Sequence, residues 1–367
     1  MVTPSYYPIT GGAETLIRNL SIKLNQKGIH TDIMTFNMTK KWNPHWQARI
    51  DEIDGITVYR VPGLNWYPLT HSDRTTQGIN LIPGPFRNHL KGYDIIHFHV
   101  GDLTFPFFSL TTKKPKITHF HGPLDFYQKS FTSRQILKNM ADIYVAISRD
   151  MQQDLKELGV PEDKIRYIPN GVDSEIFHPT GTKEKNLILF VGRVTFDKGL
   201  HVLLDALPYV RTKTEMVIIG PPEYDVDYFQ RIQNQIAKEN KRGIHKITYL
   251  GEQEQNVVVK WCQKASIFVL PSFREACGIA ILEALSCETA VVASNIEGIR
   301  EVVIDGENGL LVPTNSPIKL ASSIQSLLDN ESLRTKFGIE GRKFVRANFS
   351  YDSSIQKFRR IYQDLLR

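Results

Sequence analysis

The stretch "SIFVLPSFREACGIAILEALSCETAVVAS", Ser266–Ser294, contains a whole strand–loop–helix–strand unit. "SIFVLP" is a short apolar run too brief for a helix and reads as a buried strand. "SFREAC" is a polar loop, "GIAILEAL" opens a helix at a glycine, and "TAVVAS" is β-branched again. An apolar strand followed by a helix and a second apolar strand requires a parallel crossover, and therefore a sheet covered on both faces. Working outward, the same alternation fills most of the chain. "HTDIMTF", "DIIHFHV", "KITHFHG" and "IYVAIS" read as strands before residue 170; "LILFVGR", "EMVIIGP", "KITYLGE" and "GLLVP" join the set after residue 185. Between the two sets lies "KIRYIPNGVDSEIFHPTGTKEKN", rich in proline, glycine and polar residues. The expected fold class is α/β, with two Rossmann-like, doubly wound parallel-sheet domains facing a cleft. The expected boundaries are 1–175 and 176–349, with a C-terminal amphipathic helix over 350–367 packing back on the N-terminal domain.

Bulk composition narrows the classes. The 367 residues are 41% hydrophobic and 23% charged, the balance of a globular chain of about two domains. No apolar run approaches the ~20 residues of a membrane span. The N-terminal "MVTPSYYPITGGAE" lacks the basic and apolar regions of a secretory signal, and holds only the last three residues of a first strand. Either that strand is short or the natural start lies upstream. Cys262, Cys277 and Cys287 lack metal-ligand spacing and suit reduced thiols, so a cytoplasmic location is expected. The net charge of +6 is dispersed. It calls for no nucleic-acid partner, and the short "TTKKPK" cluster at Thr111–Lys116 suits a solvated turn or peripheral contact at the inner face of a membrane.

Ligands of open α/β sheets bind beyond the carboxyl ends of strands, and the polar candidates fall there. "ITGGAE" turns into a helix at Gly11 and Gly12, where glycine permits close backbone approach to a ligand; an ordinary helix entry reads the same way. The spacing is not that of a dinucleotide fingerprint. "LILFVGRVTFDKG" places Gly192, Arg193 and Lys198 after a buried strand. Two cations there can bracket a diphosphate, or simply belong to a solvated loop. In the opening stretch, Glu275 and Glu283 have seven residues between them. Cys277, Gly278, Ile279 and Ala280 lie between the acids, the last three supplying amide N–H groups at a helix start. Even fully helical, the eight steps would span about 12 Å, the scale of a nucleotide sugar. One carboxylate on each sugar fits that span; ordinary helix-end electrostatics is the alternative. His97 and His99, and His119 and His121, each share one face of a strand. They lack an accompanying carboxylate ligand set, so no metal is expected.

Taken together, "GGAE", "THFHGP", "IPNGVD", "VGRVTFDKG", the E-x7-E of "EACGIAILE" and "SNIEGIREVVIDGENGLLVP" resemble, in order and over nearly the whole chain, a family 4 glycosyltransferase of the GT-B fold. The resemblance implies a retaining hexosyltransferase that uses a nucleotide-sugar donor, UDP- or GDP-linked, and no metal or other cofactor. It also implies roles: Arg193 and Lys198 on the diphosphate, Glu283 on the ribose, and Glu275 on the transferred sugar. Gly192, Cys277, Gly278, Ile279 and Ala280 would supply nearby donor contacts, Gly11 and Gly12 would approach the donor from the other domain, and His121 would align the sugar. One departure stands out: Ala276-Cys277 follow the first glutamate where many members have Pro-Phe. A silent nucleotide-sugar-binding partner and a sugar-nucleotide epimerase share the architecture. The acceptor is unread, and Trp42, Trp46 and Trp66 mark the two N-terminal segments expected to meet it. The oligomeric state is equally unread.

Overall fold

The computed structural model describes residues 1–9, 11–37, 47–61, 89–100, 112–122, 124–128, 131–181, 183–222 and 225–367. Most of the two segments expected to read the acceptor, Trp42, Trp46 and Trp66 among them, lie outside the described residues. The chain divides into two compact units, residues 1–170 with 352–367, and residues 171–351.

The first unit contains β1 (Ile33–Phe36), β2 (Arg49–Ile53), β3 (Ile56–Val61), β4 (Ile96–Val100), β5 (Lys116–Phe120), β6 (Ile143–Ala146) and β7 (Ile165–Tyr167). They form the orders β1-β3-β2 and β4-β5-β6-β7. Val2 bridges both sets, parallel to Met34 on one side and Phe98 on the other, so the first strand position is filled by a single bridging residue. After it the chain runs through Gly11 into helix Gly12–Gln26, which buries Leu16, Ile17, Leu20 and Leu24 as its periodicity requires. Gly28, at φ +80°, follows the helix.

The β2–β3 hairpin is not among the strands expected from the sequence. Asp54 and Gly55 both have positive φ, 53° and 72°, the geometry of a two-residue turn whose twist matches the flanking strands. Ile53 and Ile56 pair across it. The Asp-Gly dipeptide was the available signal.

Helix Tyr351–Leu365 belongs almost wholly to this first unit. Its Phe358 ring packs on His97 and His119, at centroid distances of 5.3 and 5.5 Å. The Tyr362 hydroxyl lies 2.8 Å from His97 Nδ1.

The second unit is a six-stranded sheet of β8 (Leu187–Val191), β9 (Glu215–Ile219), β10 (Lys246–Tyr249), β11 (Ile267–Leu270), β12 (Ala290–Ser294) and β13 (Gly309–Val312). The order is β10-β9-β8-β11-β12-β13, with every pairing parallel. "ILF" of β8, "IFVL" of β11 and "AVVAS" of β12 are buried without alternation because both sheet faces are covered. Winding proceeds outward from β8 to β10 and then returns to β11 beside β8. The reversal of strand order, where doubly wound sheets open a crevice, therefore falls between the carboxyl ends of β8 and β11. Among the described residues no helix is long and apolar enough to cross a membrane.

Candidate active site

The loops after β8 and β11 meet at this reversal. Lys198 ends a short 3-10 turn, Phe196–Lys198, and its Nζ lies 2.6 Å from Glu275 Oε2. The two side chains are 14% and 15% exposed, so water screens the pair only partly. Ser272 Oγ sits 3.5 Å from the same carboxylate oxygen. The Phe273 N–H donates to the Asp197 carbonyl at 2.7 Å. The Phe196 and Phe273 rings stack with centroids 5.3 Å apart, and buried His201 stacks on Phe196 at 4.7 Å. Ion pair, backbone hydrogen bond and aromatic stack thus lock two loops that are distant in sequence into one rigid rim.

Glycines let these loops approach closely. A Cβ on Gly199 would lie 2.0 Å from the Pro271 carbonyl oxygen, one on Gly220 1.9 Å from that of Gly192, and one on Gly298 2.0 Å from that of Glu275. Backbone from the carboxyl ends of β8, β9, β11 and β12 is therefore packed directly on backbone. Gly199, Gly220 and Gly298, together with Ser272, Phe273 and His201, are not among the expected site residues, although Gly199 closes "VGRVTFDKG", Gly298 lies in "SNIEGIREVV" and Gly220 directly follows β9.

Helix Ile279–Ser286 starts at Gly278, which holds the N-cap position with φ 58° and ψ 50° and no side-chain cap. The first-turn amides of Ile279 and Ala280 consequently remain donors for a ligand at the helix start. Cys277 and Gly278 are buried, and Arg193 is exposed at the carboxyl end of β8. Glu283 lies one turn further in, and burial pushes its carboxyl up to about 8. Gly192, Arg193, Lys198, Glu275, Cys277, Gly278, Ile279, Ala280 and Glu283 all belong to the second unit.

Gly11, Gly12 and His121 belong to the first unit. Gly11 is the N-cap of helix Gly12–Gln26, in extended backbone, and a Cβ there would meet the Glu14 carboxylate. His121 follows β5 and joins a cluster with His97, His99 and His119. His99 and His119 are register partners on β4 and β5. Nitrogens of His97, His99 and His119 lie within 4.8 Å of one another. The planes of His97 and His99 are inclined by 25° and those of His97 and His119 by 19°. The planes of His99 and His119 are inclined by 43°, and no carboxylate joins this group among the described residues. Burial holds all four imidazoles neutral, driving His97, His99 and His119 well below the ordinary value and His121 down to about 4.

The comparisons agree with this frame. The family model for group 1 glycosyl transferases matches residues 172–344, and that for Glycosyltransferase Family 4 matches residues 10–176. The chain is a family 4, group 1 glycosyltransferase. This glycosyltransferase is 27% identical over 372 residues to an uncharacterised glycosyltransferase of Methanocaldococcus jannaschii, covering 98% of this chain and 96% of that one. It is 24% identical to a D-inositol 3-phosphate glycosyltransferase of Corynebacterium diphtheriae, covering 96% and 90%. Its fold matches sucrose-phosphate synthase from Thermosynechococcus elongatus with a TM-score of 0.78 at 21% identity, covering 99% and 98%. The Anabaena HepE structure, in complex with UDP and glucose, matches with a TM-score of 0.79 at 16% identity, covering 99% of each chain. These glycosyltransferase neighbours share the GT-B class of fold with this chain.

Proposed function

We propose that this glycosyltransferase moves a hexose from a nucleotide-sugar donor to an acceptor hydroxyl with retention of anomeric configuration and without a metal ion. The observation that carries the reading is the Lys198–Glu275 pair at the point where strand order reverses. A nucleotide sugar laid along this rim offers its diphosphate to Arg193 and Lys198 and its sugar to Glu275. Its ribose hydroxyls reach Glu283, and the N–H groups at the start of helix Ile279–Ser286 complete the cradle. As the bond from the sugar's anomeric carbon to the diphosphate oxygen breaks, negative charge grows on the leaving diphosphate. These two cations oppose that charge, the role a divalent ion would otherwise take. Glu275 is held by Lys198, which makes it a poor free nucleophile and favours a positioning role on the sugar hydroxyls over a two-carboxylate scheme. His121 aligns the transferred sugar. The HepE complexes with UDP and with UDP-glucose support UDP as the first nucleotide to test.

The test is nucleotide release from a panel of UDP-, GDP- and ADP-sugars, with and without candidate acceptor alcohols, for the native protein and Glu275→Ala. The expected result is release from one donor, reduced at least 100-fold in the variant, with affinity for the free nucleotide kept within about threefold. Tight donor binding with no release under any condition would instead identify a silent binding partner. Equal loss of bare-nucleotide affinity in Glu275→Ala would contradict the assignment of this residue to the sugar.

A further inference from the structure

The imidazole cluster of the first unit contains one hydrogen bond whose direction can be deduced. His99 Nδ1 lies 2.9 Å from His121 Nε2, and the two ring planes are inclined by only 9° with centroids 5.2 Å apart. These values describe two nearly coplanar rings joined edge to edge, with the shared hydrogen along the lone-pair direction. Both rings are neutral, so each carries one N–H and one bare nitrogen, and one hydrogen is shared at this contact.

Two arrangements satisfy that count. In one, His121 Nε2–H donates to His99 Nδ1, and the remaining hydrogen of His99 must sit on its Nε2. That atom is buried and has no hydrogen-bond partner among the described residues. In the other, His99 Nδ1–H donates to His121 Nε2, and His99 Nε2 is a bare lone pair. A buried orphan N–H is rarer in folded proteins than an under-used acceptor; neutral His119, neither of whose nitrogens has a partner among the described residues, already carries one, and the second arrangement adds no other. The second arrangement is therefore preferred.

We infer that His99 is a positioning residue: by donating from Nδ1 to His121 Nε2 it fixes His121 as the Nδ1–H tautomer, so that His121 meets the sugar as a hydrogen-bond donor to a hydroxyl oxygen. The inference rests on the reading of His121 as a sugar-aligning residue. It goes further by assigning the tautomer, the group that sets it, and the polarity of the contact. Ring contacts hold His99 in turn, stacked with His97 at 4.3 Å and tilted by 43° against its register partner His119 at 5.1 Å between centroids. His121, just beyond the strand end, addresses ligand; His99 orients it, and His97 and His119 pack against His99 without taking up charge.

The test combines spectroscopy and kinetics on the full chain. Long-range ¹⁵N–¹H correlation of histidine-labelled protein, with His121→Asn used to assign the signals, is expected to show His121 protonated at Nδ1 and bare at Nε2. In His99→Phe the shifts should move toward a tautomer average. Nucleotide release from UDP-glucose, or from whichever sugar nucleotide in the panel is turned over, should lose about tenfold in kcat, the equivalent of one neutral hydrogen bond, with KM nearly unchanged. His99→Asn, whose amide can donate from a similar position, should restore most of that loss. A proton on His121 Nε2 in the native protein overturns the inference, and this readout needs no variant of His99 to fold. An unchanged His121 tautomer and unchanged kcat in folded His99→Phe overturn it as well. Full turnover in His121→Ala would instead refute the sugar-aligning reading, a result separate from the tautomer spectrum.

Discussion

Glu283 lies one turn inside helix Ile279–Ser286, beside the buried thiols of Cys262 and Cys287. Burial raises its carboxyl from 4.5 to about 8, so at neutral pH the folded protein holds a proton there that the unfolded chain has released. The sign of the linkage follows directly. Between pH 4.5 and 8 the native state binds more protons, so stability from this group is complete below 4.5 and is lost as pH rises through 8. Urea unfolding of the second unit should therefore weaken with increasing pH in this window, with a slope of up to about 1.4 kcal/mol per pH unit. Glu283→Gln should flatten that slope. The same residue makes nucleotide binding pH-dependent. A carboxylate accepts from paired ribose hydroxyls better than a neutral acid does, so UDP affinity should rise as pH passes through about 8 and lose that dependence in Glu283→Gln. Calorimetric titration across pH 6.5–9 reads both effects. Lys183 is a second buried ionisable group: its ammonium donates to the Cys262 and Cys287 carbonyls at 3.0 and 2.6 Å and to Thr289 Oγ1 at 2.8 Å. Cys262 lies in the last turn of helix Gln255–Lys264, and Cys287 caps helix Ile279–Ser286. A cation between two helix carboxyl ends is favourably placed, and Lys183→Met should destabilise the second unit by about 1–3 kcal/mol in urea unfolding.

At the scale of elements, the site is made by loop-to-loop contact rather than by any one motif. Helix Glu297–Arg300 presses Gly298 against the Glu275–Ala276 backbone, where a Cβ would stand 2.0 Å from the Glu275 oxygen and 2.8 Å from the Ala276 carbonyl carbon. Backbone cannot rotate away as a side-chain tip can. Gly298→Ala must therefore move the Glu275 loop, which should cost about 1–3 kcal/mol of stability and at least tenfold in turnover. Thermal melting and nucleotide release measured together check this, and native turnover in the variant would show that the loop tolerates displacement. The E-x7-E spacing was readable because both acids bracket one loop and one helix turn. The contacts that hold Glu275 were not, because Asp197, Lys198, Gly199 and Gly298 are brought to it by tertiary contact. Gly220 shows the limit well: its place after a strand was visible, but its approach to Gly192 depends on β8 and β9 being neighbours.

At the scale of the whole molecule, the two compact units have unequal dependence on the C-terminal helix. Ile355, Phe358, Ile361 and Tyr362 are buried, and Phe358 and Tyr362 cover the histidine cluster of the first unit. Removing residues 352–367 exposes these contacts and leaves the cluster's nitrogens to water. Limited proteolysis of the truncated chain should digest residues 1–170 rapidly while residues 171–351 persist. Equal resistance of both segments would mean that the helix contributes little. The alternation of apolar runs with amphipathic stretches was sufficient, in the sequence alone, to establish two parallel-sheet units and to place the polar candidates after strands. Local chemistry determines those features: periodicity selects the element, and a strand buried on both faces cannot alternate. The "DIIHFHV" and "KITHFHG" pairs were likewise visible as one-face histidines. Only the tertiary structure decided that β4 and β5 are neighbours, that four imidazoles therefore cluster, and that His99 meets His121. It also decided that Lys198 reaches Glu275 across 77 positions of chain. Strand order sets those meetings, and strand order is chosen by the packing of the whole unit rather than by any residue's own preference.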